Sequence, residues 1–327
     1  MILILSFDQF EQGTDPVIDW LLYYGADFIR INGDFFHTTQ RRWKMDLHQN
    51  DLILDDNISF QKEVNAVFFR RFGKKVHLGK SATLPREQDL QRELSKENQY
   101  LIDYFYYTLK DKYWLPGYQA TAFSGNKLVI LNEARECGFN VPEAYIIRSK
   151  SDLKALMKQF DHQIIIKPIN YCQYYFKDDA VFTSFTHQPD EETLNALPEQ
   201  FFPSLVQEKI RGAYELRIFY LEGRCYTEVS LNQEALTATS DIKLIQNLKT
   251  THFVPFNLPL DIEQRIDVFM KRIGLNTGSV DIMRDTDGQY HFIEVNPAGQ
   301  YLAPSQKCNF QLDRLIAEHL IQKDKAL

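Results

Sequence analysis

Apolar residues fall along this chain in two rhythms. Ile2-Leu3-Ile4-Leu5-Ser6-Phe7 is an almost unbroken apolar run of strand length, and Ala26–Ile31 and Val64–Phe69 repeat it. Between the first two runs, Asp15-Pro16 leads into Val17, Ile18, Leu21 and Leu22, a helical spacing with proline in its first turn. This β-α-β opening predicts a small α/β domain. A polar helix carrying aromatics is expected over about Glu87–Leu109. The segment Lys112–Gly125, with Trp114, Pro116, Gly117 and Gly125, reads as a domain boundary. Beyond it the pattern predicts a helix from about Asn126 to Cys137, a strand at Ala144–Ile147, a helix Ser151–Phe160 capped by Ser151, and a strand Ile164–Ile166 stopped by Lys167-Pro168. Tyr171–His187 reads as hairpin material. Strands then follow at Leu205–Ile210, Glu215–Leu221 and Arg224–Leu231, with a helix at Asp261–Ile273. A strand pair, Gly278–Met283 and Gln289–Asn296, precedes a last helix at about Gln311–Lys323.

Composition narrows the classes. The 327 residues predict two or three domains at about 100–200 residues each. A net charge of −7 argues against a generally basic nucleic-acid binder. Met1–Phe7 lacks a basic n-region, so no signal peptide is expected, and no apolar stretch approaches the roughly 18 residues of a membrane span. The four cysteines form no CxxC, which excludes a zinc ribbon and a disulfide framework and fits a reduced, cytoplasmic protein. Glycine is scarce, 14 in all. The one stretch like a phosphate loop, Gly73 to Ser81, has five residues between its glycines where the motif needs four, so it reads as a basic surface loop. Six basic residues (Arg70, Arg71, Lys74, Lys75, Lys80 and Arg86) stand between Glu63 and Glu87 without an acid, as a solvated face or a docking site for an acidic ligand. The aromatic stretch Tyr100–Trp114 suits the core, with a homodimer interface as the alternative.

The strongest chemical signal is Asp281, Glu294 and Asn296. Side chains alternate along a strand, so Glu294 and Asn296 share a face. If Asp287-Gly288 are the central residues of a two-residue turn, Asp281 lies directly opposite Glu294. Two carboxylates whose Cβ atoms are about 5 Å apart repel by roughly 3 kcal/mol at an effective dielectric of about 20. A cation between them removes that cost, and two carboxylates with an amide oxygen suit Mg²⁺. A longer turn would shift the register, and an exposed acidic edge is the alternative.

Other features stand in order around this hairpin. Lys127 begins a helix and Lys167 ends an apolar strand. Leu205-Val206-Gln207-Glu208-Lys209-Ile210 follows, then Glu215-Leu216-Arg217, then Asp281 and Glu294-Val295-Asn296. This order resembles the ATP-grasp superfamily. The whole chain further resembles the ATP-grasp peptide maturases that make graspetides (microviridin-type peptides), above all the grasp-with-spasm group. The stretches that carry this resemblance include Gly13–Leu21, Phe201–Ile210, Tyr214–Leu221, Gly274–Asp281 and Glu294–Gln300.

The resemblance implies an α/β (α+β) ATP-grasp fold: an N-terminal pre-ATP-grasp domain (1–118), a central lid domain (119–206) and a C-terminal domain (207–327). It implies ATP and Mg²⁺ as cofactors. Lys127 and Lys167 would neutralise phosphates, and Gln207, Glu208 and the backbone at Lys209 and Ile210 would read adenine. Glu215 would hold the ribose, while Asp281, Glu294 and Asn296 would bind Mg²⁺. Arg217 would stabilise charge where phosphoryl transfers. The partner would be a ribosomal precursor peptide with leader and core, with no nucleic acid or membrane involved. Taken singly, Lys127 also reads as a helix-surface lysine, and Glu215 with Arg217 as a cross-strand ion pair.

Two departures stand out. Related maturases carry an aspartate–aromatic–arginine motif at the acceptor carboxylate, where this chain has Asp241-Ile242-Lys243. Lysine keeps the charge but loses the bidentate fork. The expected lid, Ile169–Phe185, contains no glycine. The alternatives are an ATP-grasp ligase of a free small carboxylate, such as an amino acid, and a catalytically impaired peptide-binding homologue.

Overall fold

A computed structural model describes residues 1–7, 11–38, 41–73, 87–119, 126–169, 174–177, 180–183, 186–231 and 252–326. Residues that contact one another most fall into two units, Met1–Ala120 with Ala298–Leu327, and Thr121–Pro297.

The first unit opens with β1 (Ile2–Ser6) and β2 (Phe28–Asn32), joined through the helix Asp15–Tyr23. Next come β3 (Trp43–Asp46), β4 (Asp51–Leu54), β5 (Ile58–Ser59), β6 (Ala66–Phe69) and β7 (Tyr113–Leu115). A parallel sheet runs in the order β2-β1-β6-β7. Its inner strand β1 is buried along its whole length, as a central parallel strand requires, which explains why it reads as a continuous apolar run. The small antiparallel sheet β3-β4-β5 was not expected from the sequence. Its strands are four residues or shorter, and Asn50, Asp55 and Asp56 between them take left-handed φ values, so the segment carries turn chemistry throughout.

The long helix Glu87–Thr108 places Ile102 and Phe105 in the core beside Trp114, while Tyr100 and Tyr107 are exposed. The aromatic stretch therefore splits by helical face. The helix Leu312–Lys325 packs on Asp15–Tyr23, where the Trp20 indole N–H donates to Asp313 at 2.8 Å. Arg70 departs from the expected solvated basic face. It is 8% exposed, donates to Glu11 Oε1 through Nε and Nη2 (3.3 and 3.2 Å), and donates through Nη1 to the carbonyls of Ala298 and Gly299. Its guanidinium also lies over the Tyr301 ring. Arg71 is half exposed and pairs with Glu11 Oε2 at 3.4 Å, whereas Lys74, Lys75, Lys80 and Arg86 lie outside the described residues.

The second unit contains β8 (Ala144–Ser149), β9 (Ile164–Lys167), β10 (Tyr174–Lys177), β11 (Ala180–Thr183) and β12 (Gln200–Glu208). It continues with β13 (Gly212–Leu221), β14 (Arg224–Leu231), β15 (His252–Phe256), β16 (Thr277–Asp285) and β17 (Tyr290–Asn296). These form a sheet β8-β12-β9, the hairpin β10-β11 and an antiparallel sheet β15-β14-β13-β16-β17. The hairpin falls within the segment expected to form one. The helix after β8 covers Lys150–Gln159, and its cap is Ser149 rather than Ser151. Ser149 Oγ accepts from the Asp152 N–H, and Ser151 Oγ sits 2.9 Å from it.

Alternation divides the five-stranded sheet into two faces. One is apolar: Leu216, Ile218, Val229, Val280, Ile282 and Val295 are all buried. On this side lie Ile266, Phe269 and Met270 of the helix Leu260–Arg272, with Phe269 and Phe292 rings 5.0 Å apart. The other face carries the charged residues.

Candidate functional site

Four charged residues form one row across the charged face. Register pairs Glu228 with Arg217, Arg217 with Asp281 and Asp281 with Glu294. Arg217 donates from Nε to Asp281 Oδ1 at 2.9 Å and from Nη2 to Oδ2 at 3.0 Å, a bidentate pair. The Asp281 carboxylate, together with Glu215 and Glu228, raises the Arg217 pKa despite burial, so Arg217 stays a cation at any working pH. Glu228 is 4% exposed and was missed in the sequence. Its signal was available, since β13 and β14 are joined by a tight turn at Glu222-Gly223 that sets their register.

Asp281 opposes Glu294, but not by the route the sequence suggested. The turn is a three-residue loop, Thr286-Asp287-Gly288, with Gly288 in the left-handed region (φ +85°). Arg284 therefore pairs with Tyr290, one residue out of the expected register. A bulge between the pairs Ile282–Phe292 and Asp281–Glu294 leaves Ile293 unpaired and restores the offset. Without it, Asp281 would face Ile293 and the carboxylate of Glu294 would turn to the apolar side. Beyond the bulge, Ser279 pairs with Asn296 on the same face as Asp281 and Glu294.

Lys127 is the first residue of the helix Lys127–Glu136, and its Nζ lies 3.6 Å from Glu294 Oε2. It is thus no surface lysine. Asn126 caps that helix by accepting from the N–H groups of Leu128 and Val129. Asn126→Ala should cost about 1 kcal/mol in urea-melt stability and loosen the turn that holds Lys127.

Lys127, Lys167, Leu205, Gln207 and Glu294 line one narrow pocket with Ile130, Leu131, Ile293 and Val295. Leu205 and Gln207 face it from alternate positions of β12, and Gln207 is 2% exposed. Glu208 lies on the other face, where its carboxylate accepts from the Glu143 N–H at 3.4 Å. The N–H groups of Glu208 and Lys209 donate to the carbonyls of Glu143 and Gln163, and Lys209 Nζ donates to Gln188 at 2.7 Å. Glu215, opposite Ser230 and Met283, sits one alternate position from Arg217 on the charged face. Asp241 and Lys243 lie outside the described residues.

The donor set suits a hard cation, because it offers two carboxylates and an amide oxygen with no sulfur or imidazole. Among the described residues no three His, Cys, Asp or Glu side chains gather into a metal cluster. A site here would be completed by oxygens such as phosphate. A nucleophilic thiol is no feature of this unit's sheet, since burial pushes Cys225 up to about 12. Among the described residues no helix is long and apolar enough to cross a membrane.

No protein-family model and no curated protein matches the chain. Solved structures do. The macrocyclase MdnC of Microcystis aeruginosa, bound with its precursor peptide MdnA, is 24% identical with a TM-score of 0.79, over 98% of this chain and 99% of that one. A RiPP-associated ATP-grasp ligase of Chryseobacterium gregarium, in complex with ADP and a leader and core peptide, is 21% identical with a TM-score of 0.80, over 98% and 96%. The ATP-grasp ligase PsnB, complexed with a precursor variant, Mg and ADP, is 14% identical with a TM-score of 0.77, over 98% of both chains. Such near-complete overlap carries the fold: this chain is built on the ATP-grasp architecture.

Proposed function

We propose that this chain is an ATP- and Mg²⁺-dependent ligase of the graspetide class. It would join Asp or Glu carboxylates of a ribosomal precursor peptide to Ser/Thr hydroxyls or Lys amines of the same peptide. The observation that carries this reading is the convergence of Lys127, Lys167, Gln207 and Glu294 at one pocket, with Asp281 paired to Glu294 across the neighbouring strand. The full-length similarity to ligases solved with ADP and precursor peptides supports it.

In this reading Lys127 and Lys167 balance phosphate charge, and Gln207 lies at the pocket wall. Glu208 shapes the hinge from its outer face. Adenine is read by the Ile210 N–H and the carbonyls of Glu208 and Lys209, since the N–H groups of those two residues are engaged. Glu215 holds the ribose. Asp281, Glu294 and Asn296 would hold Mg²⁺, which when bound neutralises phosphate charge and fixes the nucleotide. Arg217, kept cationic, is placed to stabilise charge as phosphoryl moves. Asp241 and Lys243 belong to acceptor handling, and the three-part domain division (1–118, 119–206, 207–327) is part of the same proposal.

The chemistry balances. A peptide carboxylate attacks the γ-phosphorus of ATP, giving an acylphosphate and ADP. A hydroxyl or amine then attacks the acyl carbon, loses its proton and expels phosphate. A reducing cytoplasmic setting fits, as Cys137, Cys225 and Cys308 are free thiols.

The test is incubation with ATP, Mg²⁺ and a Thr/Ser- and Glu/Asp-rich peptide encoded beside the gene. One water mass should be lost per crosslink, with one ADP formed. Tight binding without mass loss would sink the ligase reading in favour of an impaired binder, the outcome to which Lys243 points. ADP formation with free amino acids alone would favour a small-carboxylate ligase.

A further inference from the structure

Ser279 is a buried group that none of the roles above uses. It is 3% exposed, and its hydroxyl has no hydrogen-bond partner among the described residues. Buried hydroxyls are nearly always satisfied, so an orphan of this kind calls for an occupant.

Its position says which. Ser279 stands directly opposite Asn296, while Asp281 stands opposite Glu294 one alternate position along the same two strands. Opposed Cβ atoms lie about 5 Å apart, and alternate residues of one strand about 7 Å. Ser279, Asp281, Glu294 and Asn296 are thus the corners of one quadrilateral on the charged face, and every corner presents oxygen. On the far side of Ser279, register places Phe219, which is buried and offers no polar atom. Of the two side chains that register sets directly opposite Ser279, the polar one is Asn296, a member of the proposed cation set.

We infer that Ser279 supplies a fourth oxygen to the divalent-cation site of Asp281, Glu294 and Asn296. This rests on the proposed function and adds a residue to it. A hydroxyl is a hard, neutral donor, suited to Mg²⁺ or Mn²⁺. It enlarges the set without adding a third negative charge beside the two carboxylates. A buried hydroxyl without a protein partner costs stability, which a cation bound between these oxygens would offset.

The full-length chain and Ser279→Ala are titrated with Mn²⁺ in the presence of ADP, following free Mn²⁺ by electron paramagnetic resonance. Melting of the metal-free proteins is measured in parallel. Ser279→Ala should weaken Mn²⁺ binding roughly tenfold. It should also raise the metal-free melting temperature by about 2 °C, because it deletes an unsatisfied hydroxyl. Unchanged Mn²⁺ affinity overturns the inference. So does weaker binding with a lower melting temperature, since the hydroxyl would then be satisfied within the protein. If the wild-type chain itself binds no Mn²⁺ with ADP, the cation site of the proposed function fails and takes this inference with it. Wild-type binding matched by the variant removes only Ser279.

Discussion

Under the proposed function, Glu294→Gln and Asp281→Asn are each expected to reduce ATP-dependent modification of a precursor peptide by about 10²–10³-fold. The two should part company in the melt. Glu294 is partly exposed beside Lys127, so its amide variant should fold with near wild-type stability. Asp281 is 5% exposed and answers both prongs of the Arg217 fork. Removing its charge leaves a largely covered guanidinium undercompensated, and Asp281→Ala, which removes the acceptors too, should cost about 2–3 kcal/mol of unfolding free energy. Chemical denaturation and peptide mass spectrometry on the same preparations separate the two effects. A Glu294→Gln enzyme that keeps both turnover and Mn²⁺ affinity would remove Glu294 from the metal set. Arg217 remains protonated over the accessible range, so any pH dependence of turnover must come from other groups.

Arg70→Met should destabilise the first unit by about 3–5 kcal/mol. Arg70 and Glu11 are both buried, and the guanidinium also serves the carbonyls of Ala298 and Gly299. Methionine approximates the aliphatic stem but leaves the buried Glu11 carboxylate with only the half-exposed Arg71 as its cation and strands two backbone acceptors. Glu11 also accepts from the Gly13 N–H at 3.1 Å, so the Gly13-Thr14-Asp15 turn ahead of the first helix should loosen with it. Adding Glu11→Gln to Arg70→Met should recover part of the loss, because the undercompensated carboxylate charge is then no longer buried. Urea unfolding of the single and double variants checks this. A loss below about 1 kcal/mol for Arg70→Met would mean that the pair behaves as a surface bridge.

Legibility in the sequence followed locality. The β1–helix–β2 opening, the helix that begins at Lys127 and the strand β14 appear within a residue or two of their expected places, and β13 starts three residues early, because apolar periodicity and capping act over a few neighbours. The small sheet β3-β4-β5 was illegible, since its strands are too short to show alternation. Arg70 was misjudged for a related reason. In the chain it stands among basic residues, and its partners Glu11, Ala298 and Gly299 are remote.

The candidate site shows the same division at finer grain. Asp281, Glu294 and Asn296 could be chosen from the chain alone, because residue type and strand alternation are local properties. Their facing one another could not. The expected two-residue turn is a three-residue loop, and the opposition survives only because Ile293 bulges out of β17. Glu228 and Ser279 enter only through register across neighbouring strands. What the sequence by itself determined was the kinds of element and the chemistry available on them. The tertiary structure decided which side chains share a face and which carboxylate meets which cation. The physical reason is that pairing across strands depends on turn length and bulges, where a single residue moves every later side chain to the other face.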